Sequence, residues 1–128
     1  YAKKHGLKIL GVVSAQATAG LSPAMVLMTP EPTIRALWNK TGWRPDQVDL
    51  YEINEAFAVQ QVALGKVLEI PRAKHNARGG GVALGHPIGA SGARCLTTLL
   101  YALESGQKGV VSLCLGGGNG VGLAIERV

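Results

Sequence analysis

The residues of this 128-residue chain that could carry chemistry fall in three short blocks. The first centres on His86, held between Gly85 and Pro87 in the run Gly79-Gly80-Gly81-Val82-Ala83-Leu84-Gly85-His86-Pro87-Ile88-Gly89-Ala90-Ser91-Gly92. Glycines allow positive φ and close backbone approach, so such a loop positions an imidazole rather than packing it. A neutral imidazole there can act as a general base near neutral pH; the alternative is a glycine-rich turn whose histidine only hydrogen-bonds. The second block is Cys114, which is followed almost at once by Gly116-Gly117-Gly118. Backbone N–H groups left free at that bend can hold an oxyanion, and a thiol beside an imidazole and free donors is an acyl-transfer constellation. The third block is Glu52-Ile53-Asn54-Glu55-Ala56-Phe57-Ala58, where Asn54 stands at a strand end opening into a helix. Asparagine is favoured as a helix N-cap, and active sites also collect at strand ends, so both readings stand.

Neighbouring residues have plainer readings. Cys95, on the apolar face of a helix, reads as an inert small hydrophobe. Ser91 reads as the N-cap of a helix, and Glu55 as a first-turn acid favoured by the helix dipole. No Gly-Lys-Ser or Gly-Lys-Thr follows the glycines, which excludes a phosphate-binding P-loop. Gly116-Gly117-Gly118-Asn119-Gly120 leads toward a strand, where a dinucleotide fingerprint requires a helix.

These blocks need a scaffold, and the pattern predicts an α/β one. Tyr1 to Gly6 reads as the end of a helix, and Leu7 to Ala19, rich in Ile, Val and Ala, as a buried strand. Helical spacing follows over 33–40, a short strand over 48–53, and a helix over 55–68 closed by Pro71. Thirteen of the 18 glycines lie between Gly79 and Gly122, eleven of them in two clusters, Gly79 to Gly92 and Gly116 to Gly122, with a helix over 91–103 and a strand over 110–115 between. A last strand covers 123–128, joined to its predecessor by the glycine turn. The predicted order is strand, helix, strand, helix, helix, strand, strand.

Composition excludes several classes. Apolar residues make up 47% and charged residues 16%, a globular balance sufficient for one core. No apolar run reaches the roughly 18 to 20 residues of a spanning helix. The net charge is +5, but the basic residues are scattered and there is one Phe with three Tyr and two Trp, so nucleic-acid binding is not expected. Cys95 and Cys114 stand in no metal-ligand spacing, so neither a metal site nor a disulfide is expected and a reducing compartment is.

Taken jointly and in order, Asn54-Glu55-Ala56-Phe57, the Gly80–Gly92 run with Gly85-His86-Pro87, and Cys114-Leu115-Gly116-Gly117-Gly118 resemble the C-terminal part of the thiolases. The resemblance extends across essentially the whole chain. It implies a mixed, mostly parallel sheet flanked by helices and ending in an antiparallel strand pair. The implied reaction is acyl transfer between acyl-CoA thioesters: thiolytic cleavage of a 3-ketoacyl-CoA, or condensation of two acetyl-CoA. No cofactor is implied, coenzyme A thioesters being the substrates.

Residue by residue, His86 matches the histidine that activates the nucleophile and lines an oxyanion hole. Asn54 matches the asparagine that holds a water of that hole, and Cys114 the acid/base cysteine. The N–H of Gly116 matches a donor of the second oxyanion hole, and Phe57 the aromatic residue lining the pantetheine tunnel. The nucleophilic cysteine of the family lies in an N-terminal domain. The expectation is therefore that residues 1–128 form a C-terminal domain lacking that nucleophile domain, supplied in cis or in trans, and lacking the first, central strand of its own half. A cytoplasmic homo-oligomer is expected. The departures from the family pattern, at Val26–Pro30, Arg78, Gly81 and Asn119, remove no catalytic group. Two other readings compete: a non-catalytic thiolase-like module that binds acyl-CoA or lipid or serves in assembly, and a stand-alone cysteine hydrolase built on Cys114 and His86.

Overall fold

A computed structural model describes residues 1–128. The chain opens in a 3-10 turn, Lys3–His5, closed by Gly6 in the left-handed conformation, the helix-end signal that the glycine predicted. Strand β1 (Gly11–Gly20) follows, then helix α1 (Pro30–Thr41), which begins with a proline in its first turn and stops at Gly42. Strand β2 (Leu50–Ile53) leads into α2 (Ala58–Val67). The glycine-rich segment holds the single turn α3 (Gly81–Leu84) and then the long helix α4 (Ile88–Ala102). Strands β3 (Lys108–Leu115) and β4 (Asn119–Arg127) complete the chain.

The four strands form one sheet in the order β1-β4-β3-β2. Only β2–β3 is parallel; β3–β4 and β1–β4 are antiparallel. The sheet is thus mixed and ends in an antiparallel pair as expected, but it is not mostly parallel. A three-residue glycine connection forces β4 back along β3, and β1 then pairs antiparallel with β4. The parallel β2–β3 pair is joined by a crossover containing helices, and a single parallel bridge, Tyr51↔His75, lies on the other side of β2. The strands pair without a break: β1–β4 runs from Gly11↔Arg127 to Gly20↔Asn119, and β4 continues directly onto β3.

Residue alternation splits the core between the two faces of the sheet. Tyr51, Ile53, Val110 and Ala124 point to the side covered by α1 and α2, where they meet Ile34, Leu37, Trp38 and Leu64. Val111 and Ile125 point to the other side, under Cys95, Leu99 and Leu103. On β2 this alternation sends Glu52 and Asn54 toward α4, which decides the site described below. β1 was expected to be buried, but it is an edge strand: Val12 and Val13 remain 51% and 57% exposed. Its apolar composition supports pairing with β4 on one side while its other edge has no strand beside it.

Candidate active site

Asn54 is the first residue past β2, and its backbone N–H still donates to the carbonyl of Ser112 on β3 (2.9 Å). It is 1% exposed. It does not cap α2, whose N-cap is the extended residue Phe57 without a side-chain bond. Instead its side chain turns toward α4: Oδ1 lies 3.9 Å from the Cys95 thiol, and Nδ2 lies 3.4 Å from His86 Nε2. Its carbonyl accepts from Gln61 Nε2 (2.9 Å), and Gln61 Oε1 in turn lies 2.7 Å from Nε2 of the buried His75. Burial first, and then the charge of Arg72, hold the His75 imidazole below its usual pKa. His75 therefore favours the neutral form, in which Nε2–H donates to Gln61.

The histidine loop is tied to the same strand end. Glu55 accepts from the backbone N–H of Val82 (2.9 Å) and from Asn76 Nδ2 (2.9 Å), while Asn76 closes on both backbone groups of Ile53. Glu55 is therefore a strap between β2 and the glycine loop, not a first-turn acid of α2. The strap needs glycine: a Cβ at Gly81 would stand 2.8 Å from the carbonyl oxygen of Glu55. A cleft of about 390 Å³ runs alongside, lined by Glu55, Gln61, Arg72, His75 and Val82. Gly85, at φ +89°, then releases the chain from α3 and exposes His86 before Pro87 opens α4.

Ser91 sits one turn inside α4, so it is not the N-cap expected from the sequence. Its Oγ lies 2.6 Å from His86 Nδ1 and donates to the carbonyl of Pro87 (3.1 Å). Both ring nitrogens of His86 thus have a polar partner within the chain. Beneath them Glu52 pairs with Arg94, whose guanidinium also reaches Thr98 Oγ1 (3.4 Å). Burial raises the Glu52 pKa, and Arg94 opposes that rise.

Cys114 occupies the end of β3, paired with Gly120, and is half-buried. Because β2 and β3 run parallel in the register Ile53↔Ser112, Asn54 and Cys114 leave the sheet at the same end. Alternation aims Cys114 to the side of Ser112, however, and no hydrogen bond joins it to Asn54 or His86. Gly116 is exposed with open space around it, and Gly117 and Gly118 take φ of +84° and +88° to turn the hairpin. A side chain at Gly118 would collide with the carbonyl of Leu21. Phe57 lies in the segment joining Asn54 to α2 and is 61% exposed.

The structure therefore joins Asn54 to His86 directly and brings Cys114 and Gly116 to the same end of the sheet. The sequence reading missed Ser91 and Cys95 as partners of the site and missed the Glu52–Arg94 pair. For Ser91 a signal was available: it stands four residues after Pro87, one helical turn, which sets its hydroxyl over the Pro87 carbonyl. No group of three or more His, Cys, Asp or Glu side chains converges as a metal site would require, and no helix is long and apolar enough to cross a membrane.

A family model described as "Thiolase, C-terminal domain" matches residues 7–127. The acetyl-CoA acetyltransferase of Pseudomonas aeruginosa is 45% identical over 128 residues, covering 98% of this chain and 33% of that protein. The cytosolic acetyl-CoA acetyltransferase of the mouse is 44% identical, with coverage of 98% and 32%. Among solved structures, Acat5 thiolase from Ascaris suum, in complex with coenzyme A, superposes with a TM-score of 0.96 at 38% identity, over 99% of this chain and 33% of that one. The chain spans about a third of the length of the curated relatives it matches.

Proposed function

Since the chain belongs to the thiolase family through its C-terminal domain, we propose that it supplies the acid/base and oxyanion-binding half of a thiolase active site. The substrates on this reading are acyl-CoA thioesters, cleaved by thiolysis of a 3-ketoacyl-CoA or joined by condensation of two acetyl-CoA. The nucleophilic cysteine comes from an N-terminal domain, in cis or in trans. On this reading the whole enzyme is a homo-oligomer, and it works in the cytoplasm, as the name of the mouse relative suggests for that protein.

The single observation that carries the reading is the 3.4 Å contact of Asn54 Nδ2 with His86 Nε2, at the sheet end where Cys114 and the glycine turn also emerge. In condensation, Cys114 as thiolate removes the α-proton of an acetyl-CoA. That C–H is far too weakly acidic to break unless fixed donors meet the developing enolate oxygen. His86, once protonated at Nε2, and a water held by Asn54 are those donors. The enolate carbon then attacks the acyl-enzyme carbonyl, whose oxygen meets the N–H of Gly116, and the tetrahedral adduct collapses by breaking its C–S bond, so that the nucleophilic cysteine leaves as thiolate. Thiolysis runs the same steps backward, with Cys114 returning the proton. Phe57, exposed beside Asn54, is placed to line the pantetheine channel.

The test is thiolysis of acetoacetyl-CoA by the whole polypeptide that carries these residues, with single substitutions at Asn54, His86 and Cys114. Loss of turnover in all three, with folding intact, supports the reading. Undiminished turnover in the Cys114 variant removes the acid/base assignment.

A further inference from the structure

We infer that Ser91 and Cys95 are positioning residues that hold His86 in the Nδ1–H tautomer, leaving Nε2 as a bare lone pair beside Asn54. The tautomer is a property of this chain alone; its catalytic meaning rests on the reading of His86 given above.

A line of hydrogen-bond contacts with fixed ends sets where each proton sits. At one end the Pro87 carbonyl can only accept, and Ser91 Oγ stands 3.1 Å from it. A hydroxyl has one proton, so when Ser91 donates to Pro87 it offers a lone pair to His86 Nδ1, 2.6 Å away. Nδ1 must then carry the ring proton. A neutral imidazole has only one N–H, so Nε2 is an acceptor, and the nearest donor is Asn54 Nδ2 at 3.4 Å.

The other end gives the same polarity independently. Cys95 is fully buried, and burial pushes its thiol up to about 11, so it keeps its proton. The S–H points at Asn54 Oδ1, 3.9 Å away, which sets the amide so that its NH₂ faces the imidazole. The reverse polarity would strip Ser91 of its bond to Pro87 and leave an Asn54 N–H ending on a sulfur, a poor acceptor.

A bare Nε2 suits the first step of acyl transfer. When a thiol is deprotonated by His86, the S–H bond breaks, the electron pair stays on sulfur, and the proton forms a new bond to Nε2. The Nδ1–H remains bonded to Ser91, so the ring does not rotate. The new Nε2–H displaces the Asn54 hydrogen bond; Nε2–H then donates to a thioester oxygen directly, and Asn54 Nδ2 acts through the water it holds. One ring changes from base to oxyanion donor without moving.

The experiment uses the whole polypeptide carrying this chain, with histidine ¹⁵N-labelled in the ring. Long-range ¹H–¹⁵N correlation reports which nitrogen holds the proton, and the His86 signals are those lost in His86→Gln. The expected result is Nδ1–H in the parent, a shift of population toward Nε2–H in Ser91→Ala, and recovery in Ser91→Thr. Cys95→Ala should shift it the same way but less. In thiolysis of acetoacetyl-CoA, Ser91→Ala should lower kcat about tenfold with KM little changed, and Ser91→Thr should restore it. An Nε2–H tautomer in the parent, or one that ignores Ser91→Ala, overturns the inference. If the tautomer behaves as inferred but His86→Gln retains full turnover, the inference stands and the catalytic reading of His86 falls.

Discussion

The two glycine-rich segments that bracket α4 use the same residue for opposite ends. In the first, around Gly81, the missing side chain lets the backbone close on Glu55, and the loop is strapped to β2 by that carboxylate and by Asn76. In the second, Gly117 and Gly118 take positive φ to turn a hairpin, while Gly116 stands in open space. The first segment delivers a side chain, His86, whose two nitrogens already have partners. The second delivers a thiol that no hydrogen bond ties to Asn54 or His86, and exposed backbone. Fixed donors spend their reorganisation cost during folding, whereas the open turn keeps its groups free for a ligand oxygen. The two halves of the proposed site should therefore respond differently to substitution.

The sharpest break in that contrast is at Cys114. Removing a proton-transfer group costs activity with little change in stability, so Cys114→Ala should lower thiolysis and condensation about a thousandfold in the whole enzyme. Its denaturation midpoint should stay near that of the parent, because the half-buried thiol has no hydrogen bond to lose. Equal losses in stability and turnover would place Cys114 with the packed residues instead.

Next in size come His86→Ala and Asn54→Ala, each expected to cost on the order of a hundredfold in kcat as an oxyanion donor is lost. The two side chains touch, so the double variant should lose less than the product of the singles. Strict multiplicativity, read from steady-state rates, would mean that the contact has no energetic content.

A stability comparison separates the glycine segments directly. Gly81→Ala forces a Cβ against the Glu55 carbonyl and should cost about 2 kcal/mol in chemical denaturation. Gly116→Ala meets nothing and keeps its N–H, so it should fall within about 0.5 kcal/mol of the parent. If both variants are equally neutral, the strap at Glu55 is not holding the histidine loop.

Much of this contrast was legible in the sequence, though not evenly. Glycine density, the Gly-His-Pro step and the apolar runs ending at Asn54 and Cys114 located the elements and the site blocks, because those signals are local. Strand pairing was less accessible. The segment from Leu7 to Ala19, rich in Ile, Val and Ala, reads like a buried strand, but burial depends on which partner it finds, and β4 covers only one edge of β1. The roles of Ser91, Cys95 and Glu55 depend on contacts 5, 41 and 27 residues away in the chain. Each has a common local role, as cap, small hydrophobe or first-turn acid, and tertiary contact overrode it. Arg94 and Glu52 were invisible for the same reason: 42 positions part them, and only the alternation of β2 turns Glu52 under α4.

The smallest expected effect probes the support beneath Asn54. His75 is buried with its pKa below the ordinary histidine value, chiefly through burial, and its Nε2 contacts Gln61, which in turn holds the Asn54 carbonyl. An unfolded chain returns the imidazole to about 6.5, where it binds a proton more readily than in the fold. The stability His75 contributes is thus fully present above about pH 6.5 and declines as the pH falls from there toward the folded-state pKa. Below that pKa both states are protonated and the decline stops. His75→Gln has no such proton to take up, so the denaturation midpoint of this variant should depend less on pH than the parent's between about pH 5 and 7. Gly116→Ala should keep the parent's slope, since the glycine turn has no part in that network. Were the His75 slope unchanged by the substitution, the acid sensitivity would originate elsewhere, and the histidine loop would not draw its stability from the chain of contacts that begins at His75.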